Sequence, residues 1–365
     1  MQSIKSSALE PTRLELAALS PAQKIMRLAP VYGLPILTVF LIILFSILLP
    51  DTFPTVLNFR SILADKAIVA MLALAATLPM MAGRIDLTVG FGIVMWHILA
   101  ISLQVKFGFS WPMAILITVL CASLVGLFNG ILVEVAQVDA FVATLGTGTI
   151  LYALALWHTE GRQIMGTLPP AFLAINGASV LGIPIAAIYV VLLAIVLWII
   201  SERMPIGRFI YAIGANEKAA SLNGIPVRAY VIGVFVASGM IAGLAGCVLA
   251  AKLRIGQANV GLDFLLPALV GAFLGSTTIK PGRVNVWGTI CGILILAVGI
   301  SGIQLFGGAF FVEPLFNGVT LVLAIALAAF AQRRRTVVKG KIAPSANVSI
   351  KEAPTAAPGT EHVRS

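Results

Sequence analysis

The sequence offers few side chains of the kinds that enzymes use for catalysis. Its three histidines, His97, His158 and His362, lie far apart along the chain, and no zinc-binding pair of histidines one helical turn apart is present. No Gly-rich stretch has the pattern that holds a nucleotide phosphate, and no Ser has the Gly-x-Ser-x-Gly neighbours of a hydrolase nucleophile. The sequence therefore predicts that the chain is not an enzyme, and neither a bound metal nor a bound cofactor is expected.

A second set of polar residues lies within or beside long apolar runs, where polar groups are costly unless they are paired or solvated. Arg84 and Asp86 stand two residues apart at such a boundary, so an irregular segment would let them pair. This pair either shapes a gate for a solute or forms an interfacial salt bridge that fixes a turn. The other candidates for a solute path are Asn129, Thr144, Gly146 and Thr147, and the alternative for each is helix packing or a helix–helix hydrogen bond.

A polar island at residues 207–228 separates two long apolar runs, and its charges exclude it from hydrocarbon. It has the signals of one very short helix, with Asn216 as the N-cap and Glu217 in the first turn. Asn223 and Gly224 supply a left-handed stop at the other end. About two turns of helix are not stable alone in water, so this helix is expected to dock on a partner. The alternative is an ordinary surface loop with a frayed turn.

The composition indicates the environment that must position these residues. Of the 365 residues, 59% are hydrophobic and only 10% are charged, and the mean hydropathy is +1.05. A soluble domain has about 25% charged residues. The sequence therefore predicts an all-α polytopic membrane protein with about ten transmembrane helices. The net charge of +10 comes from Lys and Arg in short loops and tails, which is typical of a membrane protein and not of a nucleic-acid-binding surface.

The apolar runs divide the chain into a transmembrane domain, 29–331, between a basic N-terminal tail, 1–28, and a disordered C-terminal tail, 332–365. An even number of spans places both termini on one side, and the excess of Lys and Arg on that side identifies it as the cytoplasm. The polar island then faces the cytoplasm as well. The predicted spans are residues 31–49, 61–81, 90–104, 111–133, 140–157, 181–201, 230–251, 262–278, 284–305 and 311–331.

An internal echo relates two span junctions. The sequence GRIDL at 83–87 resembles GRVNV at 282–286, and six spans separate the copies, so both have the same orientation, as in a parallel pseudo-repeat. The copies are either broken segments that line a polar cavity or simply two similar cytoplasmic turns. Three glycines at helical spacing, Gly239, Gly243 and Gly246, predict a close helix contact, either within the chain or at a seam between subunits.

Four motifs carry a resemblance to a known family. The sequence NEKAASLNGI, which begins at Asn216, resembles the cytoplasmic coupling loop of ABC transporter permeases, whose A-A-x-x-x-G element sits in a cleft of the ATPase subunit. The segments GRIDLTVG at 83–90, AFVATLGT at 140–147 and VWGT at 286–289 resemble motifs of the ribose-type (branched-chain/monosaccharide class) ABC permeases in the same order and spacing. Two positions depart from that family: Arg84 replaces a Gly, and Lys218 replaces an acidic residue.

This resemblance implies the membrane-spanning permease subunit of an ATP-driven importer for a monosaccharide or sugar alcohol in the bacterial inner membrane. It implies separate ATPase subunits that hydrolyse ATP, a second permease subunit that is identical or related, and a periplasmic sugar-binding protein, besides the membrane lipid. The residues it assigns to coupling with the ATPase are Gly214, Asn216, Glu217, Lys218, Ala219, Ala220 and Gly224. The alternative is an ion-coupled secondary transporter of a small polar solute, which the scarcity of carboxylates within the spans counts against.

Overall fold

The structure is a computed structural model that describes residues 21–308, 311–323 and 326, with side chains from residue 32 onward. Most of the predicted N-terminal tail and all of the predicted C-terminal tail lie outside these residues. The helices are α1 (Pro21–Leu48), α2 (Val56–Met81), α3 (Thr88–Val105), α4 (Trp111–Glu134), α5 (Ala140–Thr159), α6 (Pro170–Gly177), α7 (Ile185–Trp198), α8 (Pro205–Ala215), α9 (Glu217–Leu222), α10 (Val227–Leu253), α11 (Leu265–Leu274), α12 (Val286–Leu305) and α13 (Val312–Leu323).

Four short elements complete the described part of the chain. Strands β1 (Ser179–Val180) and β2 (Ile183–Pro184) pair antiparallel as a small hairpin before α7. Helix α7 continues as a π-helix over Ile199–Arg203, and a 3₁₀ turn at Leu262–Phe264 leads into α11. The hairpin occupies the start of the predicted span 181–201, so the helix begins only at residue 185.

The prediction of an all-α polytopic membrane protein is confirmed. Within the described residues, seven helices are long and apolar enough to cross a membrane: α2, α3, α4, α5, α7 with its π-helical extension, α10 and α12. Three shorter apolar helical segments, Tyr32–Leu48, Leu262–Leu274 and Val312–Leu323, lie at the remaining predicted spans. The count of about ten spans stays a prediction.

The interior of the bundle is formed by α2, α3, α10 and α12. In the 18-residue apolar stretch of each of these helices, 67–72% of the residues are buried within the protein. Every residue of α2 from Ala67 to Pro79 is buried. In contrast, α4, α5 and α7 bury only 28–39% of theirs, and they present outward-facing apolar side chains. This division places α2, α3, α10 and α12 in the interior and leaves α4, α5 and α7 with faces suited to lipid.

The three glycines of α10 pack within the chain. A Cβ atom on Gly239 would collide with the carbonyl oxygen of Ala122 in α4, and one on Gly246 would collide with the side chain of Trp96 in α3. Gly243 likewise faces Ala122. Because α3 and α4 already fill this face, the interpretation as a contact within the chain holds, and the alternative of a subunit seam at these glycines is wrong.

Two similar corners lie at one end of the bundle: the first corner is residues 82–87, between α2 and α3, and the second corner is residues 275–285, between α11 and α12. Each contains a glycine in the left-handed region, Gly83 with φ +77° and Gly282 with φ +82°. Each then uses a side-chain oxygen to accept a backbone N–H at the start of the next helix. Asp86 accepts from Thr88 at 2.9 Å, and Asn285 from Gly288 at 2.8 Å. The echo in the sequence therefore corresponds to two similar turns with the same orientation.

Candidate coupling and transport site

The predicted short helix is present as α9, and the local signals act as the sequence indicated. The side-chain oxygen of Asn216 accepts the N–H of Ala219 at 3.0 Å. Gly224 adopts φ +77°, and the N–H of Ile225 donates to the carbonyl of Ala220 at 3.1 Å, which closes the helix in a Schellman arrangement. The helix has six residues, so contacts with the rest of the chain must hold it in place.

Helix α8, which precedes α9, lies against both corners. Glycine is required at position 214, since a Cβ atom there would collide with the carbonyl oxygen of Met81 at the end of α2. At the second corner, the hydroxyl of Tyr211 donates to the carbonyl of Val284 at 2.9 Å. The guanidinium of Arg283 lies 3.7 Å from the centre of the Tyr211 ring. Burial raises the pKa of Tyr211 to about 12, so its hydroxyl remains a donor at neutral pH.

Helix α8 is absent from the predicted elements, although the sequence contains a signal for it. Apolar residues recur at helical spacing as Ile206, Phe209, Ile210 and Ile213, and Ile210 and Ile213 are buried. Pro205 occupies the first turn, where proline is well tolerated. An amphipathic helix before α9 could therefore have been predicted from the sequence.

Arg84 binds two glutamates and not Asp86. Its Nη2 atom lies 2.9 Å from the carboxylate of Glu134 at the end of α4 and 2.7 Å from that of Glu217 in the first turn of α9. Glu134 is 2% exposed, whereas Glu217 is 45% exposed. Burial opposes the charge on Arg84, but its hydrogen bonds and charge interactions with the two glutamates outweigh this effect and raise its pKa. The predicted pairing of Arg84 with Asp86 is therefore wrong.

Asp86 is turned into the protein and ties the first corner to α10. Its carboxylate accepts hydrogen bonds from the N–H and the hydroxyl of Thr88, and from the hydroxyl of Ser238 at 2.8 Å. Burial raises the pKa of this carboxyl, and the same three hydrogen bonds partly oppose the shift. Asn129 of α4 joins this cluster, since its amide donates to the hydroxyl of Thr88 at 3.3 Å.

The three candidates on α5 fall in different surroundings. The hydroxyl of Thr144 accepts the N–H of Leu87 at 3.1 Å and donates to the carbonyl of Ala140, so it buttresses the first corner. Thr147 is also buried, whereas Gly146 is exposed and nothing within 4 Å would meet a Cβ atom there. The structure thus gathers Arg84, Asp86, Asn129 and Thr144 around one corner and leaves Gly146 facing outward.

The outer face of α9 presents residues that are free to meet a partner. Only Ala220 of this helix is buried, while Lys218 and Ala219 are exposed. Leu222, which the sequence analysis did not single out, has 81% of its surface exposed. A leucine this exposed beside a small, exposed alanine is suited to fill a pocket on another protein.

Two cavities lie at opposite ends of α2, α11 and α12. The corner cavity, of about 600 Å³, is bounded by both corners and α8, and its lining includes Arg84, Arg208, Tyr211 and Arg283. The opposite cavity, of about 910 Å³, is lined by Val69 and polar residues of α2, α12 and α13. Within the described residues, no group of three or more His, Cys, Asp or Glu is placed to hold a metal ion.

A closed layer separates the two cavities. Along α2 it extends from Val69 to Met80, which is about 16 Å at 1.5 Å per residue. In this layer the hydroxyls of Thr77 and Thr289 lie 3.1 Å apart, and both side chains are fully buried. A Cβ atom on Gly292 of α12 would lie 2.7 Å from the carbonyl oxygen of Gly271 in α11, so these helices meet at close range. Among the described residues, these buried contacts lie between the two cavities in this conformation.

Comparison with known proteins identifies the architecture. The family described as branched-chain amino acid transport system / permease component matches residues 58–328. This chain belongs to that family of transport permeases. No solved structure matches it.

Several relatives of this permease are named for the transport of a sugar. It is 31% identical over 294 residues to the ribose import permease protein RbsC of Bacillus subtilis (strain 168), covering 80% of this chain and 91% of that protein. It is 32% identical over 320 residues to the galactofuranose transporter permease protein YtfT of Escherichia coli (strain K12), covering 84% and 92%. The D-allose transport system permease protein AlsC of Escherichia coli (strain K12) is 28% identical over 296 residues, covering 81% and 90%. The alternative of an ion-coupled secondary transporter receives no support from these relatives.

Proposed function

We propose that this permease is the membrane-spanning subunit of an ATP-driven importer in the bacterial inner membrane and that its solute is a monosaccharide or a sugar alcohol. The relatives named for ribose, allose and galactofuranose transport support the class of solute. The single observation that supports coupling to ATP is α9, a capped six-residue helix with Leu222 projecting outward and Glu217 bound to the bundle. A displacement of this helix by a partner would be passed to the bundle, because its outer face is exposed and Glu217 is bound to Arg84.

The proposed partners follow from the two ends of the bundle. An ATPase subunit receives the outer face of α9 in the cytoplasm, with both termini of this chain on the same side, and it carries out the ATP hydrolysis. A periplasmic sugar-binding protein delivers solute to the opposite end. A second permease subunit, identical or related, completes the assembly, and the exposed apolar faces of α4, α5 and α7 are available to it or to lipid.

The proposed mechanism uses the chain of contacts from α9 to the closed layer. Movement of the ATPase displaces α9, which pulls on the first corner through the Glu217–Arg84 ion pair and on both corners through α8. The corners end α2 and α11 and begin α3 and α12, so their displacement changes how these helices meet around Thr77 and Thr289. In this scheme the shape of the first corner is maintained by Asp86, Asn129 and Thr144. Neither Thr147 nor Gly146 takes part in the contacts that move.

Co-purification with the ATPase encoded beside this chain tests the proposal. We expect wild-type permease in detergent to retain the ATPase, and Leu222→Asp and Gly224→Asp to lose it while remaining folded. Leu181→Asp is the matched control, since Leu181 is 98% exposed in the hairpin before α7, at the other end of the bundle. If wild type retains no ATPase, or if Leu181→Asp abolishes retention equally, the proposed coupling role of α9 is wrong.

A further inference from the structure

The opposite cavity has the size and lining of a small-molecule site. Its volume of about 910 Å³ falls in the range of about 300–1,000 Å³ that is usual for ligand pockets. It lies at the end of α2 where a solute would arrive in the proposed function, and its floor is the closed layer that begins at Val69. Its polar lining residues are Asn58, Ser61, Asp65, Lys66, Lys252, Asp263, Ser301, Gln304, Glu313 and Asn317.

The charges around this cavity largely neutralise one another. Lys66 of α2 binds Glu313 of α13 at 2.6 Å, and Lys252 at the end of α10 binds Asp65 at 2.8 Å. Asp263 has no ion pair among the residues that the structure describes. A lining with one unpaired carboxylate and no unpaired cation disfavours an anionic ligand. The groups that remain to recognise a ligand are Asp263, amides and hydroxyls, and together they favour a neutral molecule with many hydroxyls.

In the cavity wall, one buried side-chain oxygen has no hydrogen-bond partner among the residues that the structure describes. Asn317 is 3% exposed, and its Oδ1 atom accepts no hydrogen bond from the described part of the chain. Its neighbour Asn58 is satisfied, because its amide donates to Phe53 at 2.9 Å and its oxygen accepts from Ser301 at 3.1 Å. A buried acceptor without a donor is costly, and a ligand hydroxyl that enters the cavity would supply the donor.

We infer that the opposite cavity is a low-affinity binding site for a neutral monosaccharide or polyol, with Asn317 and Asp263 among the groups that accept its hydroxyls. The inference rests on the proposed transport function, and it locates within this chain a place where the solute pauses before the closed layer opens. The ion pairs Lys66–Glu313 and Lys252–Asp65 join α2 to α13 and α10 in the walls of this site.

Protection of an introduced thiol tests the inference directly. We would label Ser301→Cys with a maleimide in the full-length detergent-purified chain, with Cys121, Cys247 and Cys291 replaced by Ala. D-ribose, D-allose, D-galactose and myo-inositol at saturating concentrations should each slow labelling about tenfold or more, as occlusion by a bound ligand predicts. Betaine and sodium chloride should not slow it. Ser276→Cys, which lies in the corner cavity, should not be protected by any of these solutes.

Two substitutions assign the effect to the cavity wall. Asn317→Leu should weaken sugar protection about tenfold, which is the effect of losing one hydrogen bond in a desolvated site. Asn176→Leu is the matched control, since Asn176 also has an unpartnered Oδ1 atom but lies outside the cavity, and it should leave protection unchanged. Asp263→Ala changes an exposed side chain, so it should fold normally and also weaken protection.

The outcomes separate this inference from the proposed function. If the ATPase is retained but no sugar protects Ser301→Cys, the cavity is not a sugar site and the importer proposal stands. If sugars protect but the ATPase is not retained, the site stands and ATP coupling is wrong. Equal protection by betaine or by sodium chloride, or an equal loss of protection in Asn176→Leu, would overturn the inference.

Discussion

The guanidinium of Arg84 lies 2.7 Å from the carboxylate of Glu217, although the two residues are 133 positions apart in the sequence. This ion pair joins the first turn of α9 to the first corner. The resemblance to ribose-type permeases implies an acidic residue directly before the alanine pair, where this chain has Lys218. The acid one position earlier, Glu217, is bound to Arg84 within the chain, and Arg84 itself stands where that family has a Gly. The two departures are therefore connected in space.

Removing Arg84 should destabilise the fold far more than removing Glu217. Arg84→Ala leaves the buried carboxylate of Glu134 without its partner, and breaking a buried pair in this way costs about 3–5 kcal/mol. Glu217→Ala removes only a half-exposed carboxylate and should cost about 1 kcal/mol or less. Thermal unfolding in detergent measures both. Adding Glu134→Gln to Arg84→Ala should recover part of the loss, and no recovery would show that Glu134 is not the stranded charge.

Two glycine-to-alanine changes should have unequal effects. Gly224 has φ +77° and open space around it, so Gly224→Ala adds only backbone strain of about 1 kcal/mol at the end of α9. Gly214→Ala places a Cβ atom against the carbonyl oxygen of Met81, so α8 must move away from the first corner. We expect Gly214→Ala to lower the unfolding temperature more and to expose the segment between α7 and α10 to protease. Equal proteolysis of the two variants would show that α8 is not held by this contact.

Asp86→Asn should change the pH dependence of stability. Burial raises the pKa of Asp86 in the folded protein above its unfolded value, so the folded state holds the proton more tightly. Its contribution to stability is then present at acid pH and is lost as pH rises through the raised value. The variant lacks this loss, so its unfolding temperature relative to wild type should increase as pH rises above the ordinary carboxyl pKa of about 3.9.

An asparagine already fills the equivalent role at the second corner, because the side-chain oxygen of Asn285 accepts the backbone N–H of Gly288. Asp86→Ala is the contrasting variant. It should be destabilised by about 1–3 kcal/mol at every pH, since it leaves the hydroxyl of Ser238 and the N–H of Thr88 without their acceptor. A constant difference between Asp86→Asn and wild type across the pH range would contradict the assignment.

Lys218→Glu should weaken retention of the ATPase without lowering stability. Lys218 is exposed and forms no ion pair with another described residue, so in the proposed complex its charge faces the ATPase. The prediction takes the facing ATPase surface to be acidic, so reversing the charge places like charges together, and the defect should shrink as salt is raised. Arg162→Glu, an exposed charge at the opposite end, is the control and should change nothing. A salt-independent defect would indicate that the helix itself is disturbed.

The sequence was sufficient where the controlling interactions are local. The cap at Asn216 and the left-handed stop at Gly224 act within a few residues, so the bounds of α9 follow from residue types alone. The predicted span 262–278 ends early for a reason that is equally local. After Leu274 the hydroxyls of Ser276 and Thr277 donate to the last carbonyls of α11 and so replace the next turn of helix.

The partners of Arg84 could not be predicted from local residue types. Glu134 and Glu217 lie 50 and 133 positions away, and their approach depends on how α4 and α9 arrive at the first corner. Asp86 is near in sequence, but the turn directs its carboxylate inward to Ser238. The opposite cavity could not be predicted from the sequence either, because its walls come from helices near both ends of the chain. Its unpartnered oxygen belongs to Asn317, which lies in an otherwise ordinary apolar run.

Helix α8 touches the first corner through Gly214 and the second corner through Tyr211, so a single helix connects the two corners. In the proposed mechanism, a displacement of this helix would act on both pseudo-repeat halves together. The two corners would then change shape in the same step, and one stroke of the proposed ATPase would be a single event for the whole chain.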